Sequence, residues 1–347
     1  MDYNVLKAFI KPICGTILCT FILVGCSSTS RQETNPPVSN YENEDEGEIK
    51  PPQRESQPSE SFTEYAVSPV PSPTTKASPP TPTPAEQEPH ITDANWGEYF
   101  SDLNGAAVIY NASDMHYTIY QQKLSETRRS PCSTFKIISS LIALENGVIE
   151  PENSTRTWGR EIFWNENWNR DIDFNSAFRT SCIWYFREII DELGKEKIQE
   201  GLDRLEYGNR DISDWEGRLN TNNNNRALTG FWVESSLLIS PREQTEVMAR
   251  IFGENSVYLE KTRQALKEVM KIDQSENPDI CIYGKTGMGK AHGVVVDAWF
   301  TGFAENPEKE DTIYFCVYLG QSDNKDFTST TAKEIAIHLI SEYWNQN

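Results

Sequence analysis

The sequence predicts an α+β fold in which helices flank an antiparallel sheet and one subdomain is all helical. Two strand patterns come early in the folded part of the chain, and three more come near its end. The segment between the two groups has mostly helical spacing, and an amphipathic helix closes the chain. This order of elements indicates an antiparallel sheet covered by helices.

The first 25 residues have the pattern of a lipoprotein signal peptide. Lys7 and Lys11 precede an apolar run over residues 13–24, which is too short to span a bilayer as a helix. The run leads through small residues to Cys26. This pattern resembles a bacterial lipobox, which implies cleavage before Cys26 and lipidation of its thiol. The domain is then expected outside the cytoplasm, attached to the cell membrane through lipid only. A plain secretory signal is the alternative.

Residues 26–90 are predicted to form a disordered tether. They are rich in Pro, Ser, Thr and Glu, with an acidic cluster over residues 42–48, and they contain few aliphatic side chains. Such a segment has too little apolar surface to bury and stays extended. We therefore expect a folded catalytic domain over residues 91–347.

Charge and composition limit the partners of that domain. The formal net charge of −20 argues against nucleic acid, because phosphate binding needs clustered Lys and Arg. The four cysteines of the folded part lie in apolar runs without paired spacing, so buried free thiols are expected; they are Cys132, Cys182, Cys281 and Cys316. The four histidines are scattered, which argues against a metal site and against a serine–histidine triad.

The elements of the folded domain follow from the spacing of apolar and turn residues. A hairpin is expected at 105–110 and 117–120, a helix from about Ser133 to Asn146, and mostly helices with polar loops over 150–240. After these we expect two helices within 241–270, strands at 280–286, 297–303 and 312–319, and a helix over 329–343.

Ser133 and Lys136 stand three positions apart in the segment PCSTFK, where a helix is expected to begin. Residues i and i+3 share one face of a helix, so the amine can approach the hydroxyl. A serine at a helix start also lies beside unpaired backbone N–H groups, which can stabilise an oxyanion. Two interpretations are open: Ser133 caps the helix, or it is a nucleophile whose base is a desolvated lysine.

A second motif, Lys285-Thr286-Gly287, ends the expected strand ICIYGKTG. An edge strand with these residues can pair with an extended acyl substrate, because Gly287 allows close approach and Lys285 attracts a carboxylate. A solvated strand end is the alternative. Ser-x-x-Lys followed by Lys-Thr-Gly occurs in penicillin-binding proteins and class A β-lactamases.

Three further motifs between these two narrow the resemblance. Ser181 precedes the apolar Ile183, then Tyr207-Gly208-Asn209 follows, and Phe231-Trp232-Val233-Glu234 comes third. Five motifs in this order resemble the class D β-lactamases, the oxacillinase family of serine β-lactamases, over about residues 95–345. Class A enzymes and penicillin-binding proteins have a polar Asn where Ile183 stands here. The resemblance implies a β-lactamase/transpeptidase-like fold.

The resemblance also implies a role for each matching residue. Ser133 is the acylated nucleophile, and Lys136 is carboxylated by carbon dioxide so that its carbamate serves as general base. Ser181 relays protons to the leaving nitrogen of a small β-lactam substrate. The resemblance further implies that Lys285, Thr286 and Gly287 bind the substrate, and that the backbone N–H groups of Ser133 and Met288 form an oxyanion hole. The indole N–H of Trp232 is expected to retain the carbamate. Structural support is expected from Ile183, Tyr207 and Asn209. Apart from carbon dioxide, no cofactor is expected.

Three positions depart from the class D pattern. Ile183 replaces the usual valine; an apolar residue there desolvates Lys136 and favours its neutral amine. Met288 follows the Lys-Thr-Gly motif where many members have a smaller or an aromatic residue. Ala332 stands where many members have an arginine that binds the substrate carboxylate. The candidates to replace that arginine are Lys285, Thr330 and Thr331.

The competing interpretation is a penicillin-sensing receptor domain, which shares most of these motifs but stays acylated. Such receptors carry several transmembrane helices and a His-Glu-x-x-His metalloprotease, whereas this sequence shows one cleavable anchor and no such motif. A peptidoglycan transpeptidase fits less well with Ser181-Cys182-Ile183, and a structural lipoprotein leaves the five ordered motifs unexplained. The sequence therefore predicts a β-lactam hydrolase that confers antibiotic resistance.

Overall fold

The computed structural model describes residues 88–218, 225–272, 279–322 and 325–346. The expected signal peptide, Cys26 and nearly all of the expected tether lie outside these residues. The first strand begins at His90, one residue before the expected start of the folded domain. In the described part of the chain, no helix combines the length and the apolar character needed to cross a bilayer.

A six-stranded sheet forms the centre of the fold, in the order β1-β3-β2-β6-β5-β4. The strands are β1 (His90–Asp93), β2 (Gly105–Asn111), β3 (His116–Tyr120), β4 (Cys281–Ala291), β5 (Val294–Asn306) and β6 (Asp311–Gly320). All neighbours are antiparallel except β1 and β3, which are parallel. The sheet, predicted as antiparallel, is therefore mixed at this edge. The four residues of β1 are all exposed, so the sequence there lacks the apolar alternation that marks a strand.

Helices cover the sheet. In chain order they are α1 (Gly97–Phe100), α2 (Gln122–Ser125), α3 (Phe135–Glu145), α4 (Phe174–Arg179), α5 (Ile183–Leu205), α6 (Pro241–Phe252), α7 (Glu260–Met270) and α8 (Ser329–Gln346). The two helices expected within 241–270 and the closing helix are present. The segment 150–240 is less helical than predicted, because outside α4 and α5 its described residues form loops and short 3₁₀ turns. Asn, Asp and Gly are frequent in these loops, and they favour turns over helices.

Helix α3 lies inside the domain. Its residues 135–143 are all buried, where an ordinary surface helix buries one face. It belongs to a large apolar core that includes residues of α4, α5, α6 and α7. A second core lies between the sheet and α8, with Phe300 and Phe315 on the sheet and Leu339 on the helix. The amino-terminal end of α3 is therefore held in a rigid setting close to the sheet.

Strand β4 is longer than predicted and lies at one edge of the described sheet. The sequence placed Lys285-Thr286-Gly287 at a strand end, but the strand continues to Ala291. The motif therefore lies in mid-strand, where Lys285 is opposite Thr301 of β5 and Gly287 is opposite Trp299. The prediction of an edge strand for the motif agrees with the strand order.

Substitution of Gly208 by alanine is expected to destabilise the fold strongly. Gly208 has φ +50°, and a Cβ atom there lies 2.0 Å from the carbonyl oxygen of Leu238. Left-handed backbone costs a non-glycine residue roughly 1–2 kcal/mol, and overpacking adds roughly 1–3 kcal/mol. We predict that Gly208→Ala lowers the free energy of unfolding in urea by about 3 kcal/mol.

Gly147 is the matched control for this substitution. It has φ +69°, and no atom lies within 4 Å of a Cβ placed there. Gly147→Ala is therefore expected to lower the free energy of unfolding only by the cost of the left-handed backbone, about 1 kcal/mol. Equal losses in the two variants would show that the contact with Leu238 carries no energy.

Candidate active site

A 3₁₀ turn over Cys132–Thr134 carries Ser133 immediately before α3. The amine of Lys136 lies 3.1 Å from the Ser133 hydroxyl and donates a hydrogen bond to it. The N-cap position of α3 is Thr134, so the interpretation of Ser133 as a plain helix cap is wrong. Cys132 has φ +50°, a left-handed conformation that non-glycine residues rarely adopt and that is frequent at functional sites.

Backbone and side-chain hydrogen bonds hold this turn in place. The Cys132 N–H and the Ser130 hydroxyl both donate to the Trp232 carbonyl, at 3.0 and 3.1 Å. The Ser130 hydroxyl accepts from the Glu234 N–H at 2.8 Å, and the Trp299 indole donates to the Ser130 carbonyl at 3.0 Å. The segment around Trp232 is thereby tied to the turn that carries Ser133. No local pattern points to Ser130 or Trp299, because both contacts join residues more than 100 positions apart.

Lys136 is buried among apolar groups, with 1% of its surface exposed. Its amine lies 5.4 Å from the ring centre of Phe186, a residue that the sequence did not single out. Burial lowers the pKa of Lys136 to about 8, and the thiols of Cys182 and Cys132 oppose this shift weakly. A substantial fraction of the amine is therefore neutral near pH 7–8. A neutral amine at this distance can take the hydroxyl proton of Ser133.

Lys285 and Ser181 form a second lysine–serine pair. The Lys285 amine donates to the Ser181 hydroxyl at 2.9 Å and to the Thr286 carbonyl at 3.0 Å. Burial, and to a lesser extent the charge of Lys136, lower the pKa of Lys285 to about 7. Lys285 therefore carries only part of the positive charge that was expected to attract a carboxylate. Ser181, like Cys132, has a left-handed backbone, with φ +60°.

Strand β4 passes close to the turn that carries Ser133. A Cβ atom on Gly287 lies 3.0 Å from the Pro131 carbonyl oxygen and from the Thr134 methyl group, so a larger residue forces the strand away. The alternation of the strand places the side chain of Met288 on the other face from Gly287, and 39% of its surface is exposed. The oxyanion hole from the Ser133 and Met288 N–H groups stays a prediction.

The four remaining predicted site residues surround this centre. Trp232 is buried, and its ring stacks on Phe135 at a centre distance of 6.0 Å. Ile183 begins α5 and is partly buried against the same core. The edge of Tyr207 packs against Phe135, with ring centres 5.8 Å apart. The Asn209 side chain donates to the Ser236 carbonyl at 2.8 Å and accepts from the Leu238 N–H at 2.9 Å. These contacts agree with supporting positions for Tyr207 and Asn209.

The position expected to carry an arginine faces the core. Ala332 is buried between α8 and the sheet. The backbone N–H groups of Thr330 and Thr331 lie 3.2 and 3.4 Å from the hydroxyl of Thr328. Of the three candidates to bind the substrate carboxylate, Lys285 is the one in hydrogen-bond contact with another site residue, Ser181.

Comparison with known proteins identifies the family. The model of the penicillin binding protein transpeptidase domain matches residues 99–341. The chain is 29% identical to the probable β-lactamase YbxI of Bacillus subtilis, over 74% of this chain and 88% of that protein. The chain therefore belongs to the family of penicillin binding protein transpeptidase domains.

Solved structures refine this assignment. A class D β-lactamase from Sebaldella termitidis has a TM-score of 0.64 and 26% identity, with 74% of this chain and 98% of that chain covered. The C-terminal domain of the BlaR penicillin-receptor of Bacillus licheniformis has a TM-score of 0.63, 26% identity and the same coverage. The chain spans 37% of the length of the BlaR1 regulatory protein of that organism. The class D-like fold predicted from the motifs is confirmed, and the lipoprotein form stays a prediction.

We predict that Lys136→Met stabilises the folded domain in buffer freed of carbon dioxide. An unfolded lysine has a pKa of about 10.4, whereas the folded value is about 8. The folded state therefore binds fewer protons than the unfolded state between these values, and wild-type stability rises with pH across that window. Below pH 8 the buried amine destabilises the fold by about 3 kcal/mol, and its hydrogen bond to Ser133 offsets about 1 kcal/mol.

Urea unfolding at pH 7 and at pH 10 checks this prediction. Lys136→Met is expected to be about 2 kcal/mol more stable than wild type at pH 7, and the difference should shrink at pH 10. The control is Lys197→Met, which removes an exposed lysine of α5. A pH-independent difference at Lys136 would show that its pKa is ordinary.

Proposed function

We propose that the protein hydrolyses the β-lactam ring of penicillin-type antibiotics through an acyl-enzyme on Ser133, and so confers antibiotic resistance. The observation that carries this proposal is the buried Lys136 amine, 3.1 Å from the Ser133 hydroxyl, whose pKa is lowered to about 8. Serine is a weak nucleophile unless a base takes its proton, and this pair supplies the base without a histidine.

The first half of the reaction opens the ring. The Ser133 oxygen attacks the lactam carbonyl carbon while its proton passes to the base at Lys136. The carbon–nitrogen bond then breaks, and the departing nitrogen needs a proton. Ser181 and Lys285 are 2.9 Å apart and suit this delivery, because the hydroxyl can give its proton to the nitrogen and be reprotonated from the amine.

The second half releases the product. Water attacks the carbonyl carbon of the ester on Ser133, a base takes the proton of the water, and the serine oxygen leaves with a proton. Turnover therefore needs a base that still functions after acylation. We propose that Lys136 is carboxylated by carbon dioxide, since a neutral amine in an apolar site can react in this way. When present, that group supplies an anionic base for both halves of the reaction.

A penicillin sensor is the second candidate function. It is favoured by the likeness to the BlaR penicillin-receptor domain, which matches this chain as well as the class D enzyme does. In that case Ser133 is acylated in the same manner, and the ester persists because water is not activated. Lipid anchoring through Cys26 and a location outside the cytoplasm remain parts of the proposal under either function.

Intact-mass measurements distinguish the two functions. We predict that wild type mixed with benzylpenicillin shows an adduct of the whole drug that disappears as the drug is consumed. Ser133→Ala should show no adduct and no hydrolysis, because the nucleophile is missing, while its far-ultraviolet circular dichroism stays that of wild type. An adduct that persists after free drug is removed would identify a sensor or transpeptidase. Hydrolysis by Ser133→Ala near the wild-type rate would refute the nucleophile.

Carboxylation of Lys136 is tested by NMR with carbon-13-labelled bicarbonate. We predict a carbamate signal in wild type that is absent from Lys136→Ala, and hydrolysis that is lost on degassing at mildly acidic pH and restored by bicarbonate. The acid sensitivity follows because protonation of the amine removes the form that reacts with carbon dioxide. Lys197→Ala, which removes an exposed lysine, is expected to keep the signal. A fully active enzyme without the signal would leave the free amine as the base.

A further inference from the structure

Arg187 is a buried cation that none of the roles above uses. It lies on α5, one residue after Phe186, and only 3% of its surface is exposed. Its guanidinium carbon lies 5.3 Å from the ring centre of Trp215 and 5.5 Å from that of Trp232. A planar guanidinium against aromatic rings gains both cation–π attraction and packing. Arg187 is thus in direct contact with the tryptophan whose indole N–H, as the class D resemblance implies, retains the carbamate.

Hydrogen bonds fix the orientation of this guanidinium. Its Nε donates to one carboxylate oxygen of Asp191 at 2.9 Å, and one terminal nitrogen donates to the other oxygen. The second terminal nitrogen donates to the Trp215 carbonyl at 3.0 Å. A bidentate pair with a carboxylate one helical turn away restricts the plane of the guanidinium. Asp191 is half exposed, and a terminal nitrogen of Arg226 also lies 3.6 Å from its carboxylate.

The rest of the surroundings of Trp232 is aromatic and crowded. Phe135 stacks on it, and Phe231 meets it edge to face with ring centres 5.1 Å apart. A Cβ atom on Gly230 lies 2.0 Å from the indole ring, so no larger residue fits there. Phe135 immediately precedes Lys136, and α5 also presents Phe186 to the Lys136 amine. One helix, α5, therefore packs against both Lys136 and Trp232.

We propose that Arg187 is a positioning residue that fixes the indole of Trp232 and thereby determines how firmly Lys136 keeps its carboxyl group. The second half of this statement rests on the function proposed above. Without Arg187 the indole loses the oriented guanidinium that packs against its ring and can rotate or shift. Lys136 then loses carbon dioxide more readily, deacylation slows, and the protein behaves more like a sensor.

Arg187→Met tests the proposal, because methionine fills similar volume without the charge or the planar fork. The matched control is Arg156→Met. Arg156 also contacts an aromatic ring, that of Tyr185 at 5.7 Å, and forms an ion pair with Glu192 at 2.6 Å. We expect the bicarbonate concentration that gives half-maximal hydrolysis to rise about tenfold in Arg187→Met, within the range typical for loss of an outer supporting contact, and to stay unchanged in Arg156→Met.

Fluorine NMR of enzyme labelled with 5-fluorotryptophan reads the indole directly. The Trp232 signal is identified by its loss in Trp232→Phe; it should shift and broaden in Arg187→Met and stay in place in Arg156→Met. If Arg187→Met does not fold, Asp191→Asn, at a half-exposed position, should show the same changes at smaller size. A Trp232 signal unchanged by substitution of Arg187 or Asp191 overturns the positioning role.

The two measurements separate failure of this inference from failure of the proposed function. If wild type hydrolyses penicillin with no dependence on bicarbonate, the carboxylated base is wrong, and the fluorine signal still decides whether Arg187 holds Trp232. If wild type depends on bicarbonate and Arg187→Met shows the same dependence with only a lower melting temperature, Arg187 is merely structural and the inference fails.

Discussion

Two lysine amines are buried close enough for the charge of one to lower the pKa of the other, and in the described part of the chain neither forms an ion pair with a carboxylate. The rest of the site depends on this constraint. Burial disfavours the charged form of an amine, so the pKa values of Lys136 and Lys285 fall to about 8 and about 7. Lys136 is buried because residues 135–143 of α3 all lie inside the domain. The aromatic rings of Phe186 and Phe178 lie against the two amines and add to the exclusion of water. Burial of these amines therefore costs folding free energy, and it leaves two groups that can gain and lose protons near neutral pH.

Rigid backbone contacts hold the reacting groups at their distances. Non-glycine residues with left-handed φ are found at three points of the site, namely Cys132, Ser181 and Glu234. The Cys132 and Glu234 N–H groups take part in the hydrogen bonds around Ser130 and Trp232, and the Ser181 N–H donates to the Phe178 carbonyl at 3.2 Å. On the other side, Gly287 brings β4 against the same turn. A nucleophile held in this way needs little reorganisation when an acyl group arrives.

The sequence was sufficient for the parts of the fold that have clear periodicity or ordered motifs. Helices α6, α7 and α8 and the strands of the central sheet follow from apolar spacing, and the motifs correctly brought Ser133, Lys136, Ser181 and Lys285 together. Strand β1 escaped prediction because its residues are exposed, and the loops of 206–218 and 225–240 did so because their conformation depends on distant hydrogen bonds such as that of Asn209. Ser130 and Phe178 act through contacts with residues far along the chain, which local patterns do not report. Arg187 did leave a trace, as one of two adjacent charged residues inside the otherwise apolar run IWYFREII.

The position of β1 determines where mechanical load enters the domain. Any chain that precedes residue 88 joins the sheet through four exposed residues paired in parallel with β3. Strands β1 and β4 are the two opposite edges of the sheet, with four strands between them. A load applied at the amino-terminal side of this domain therefore acts first on β1, at the edge of the sheet opposite to β4. The strand beside Ser133 is therefore at the far edge of the sheet from the point where such a load is applied.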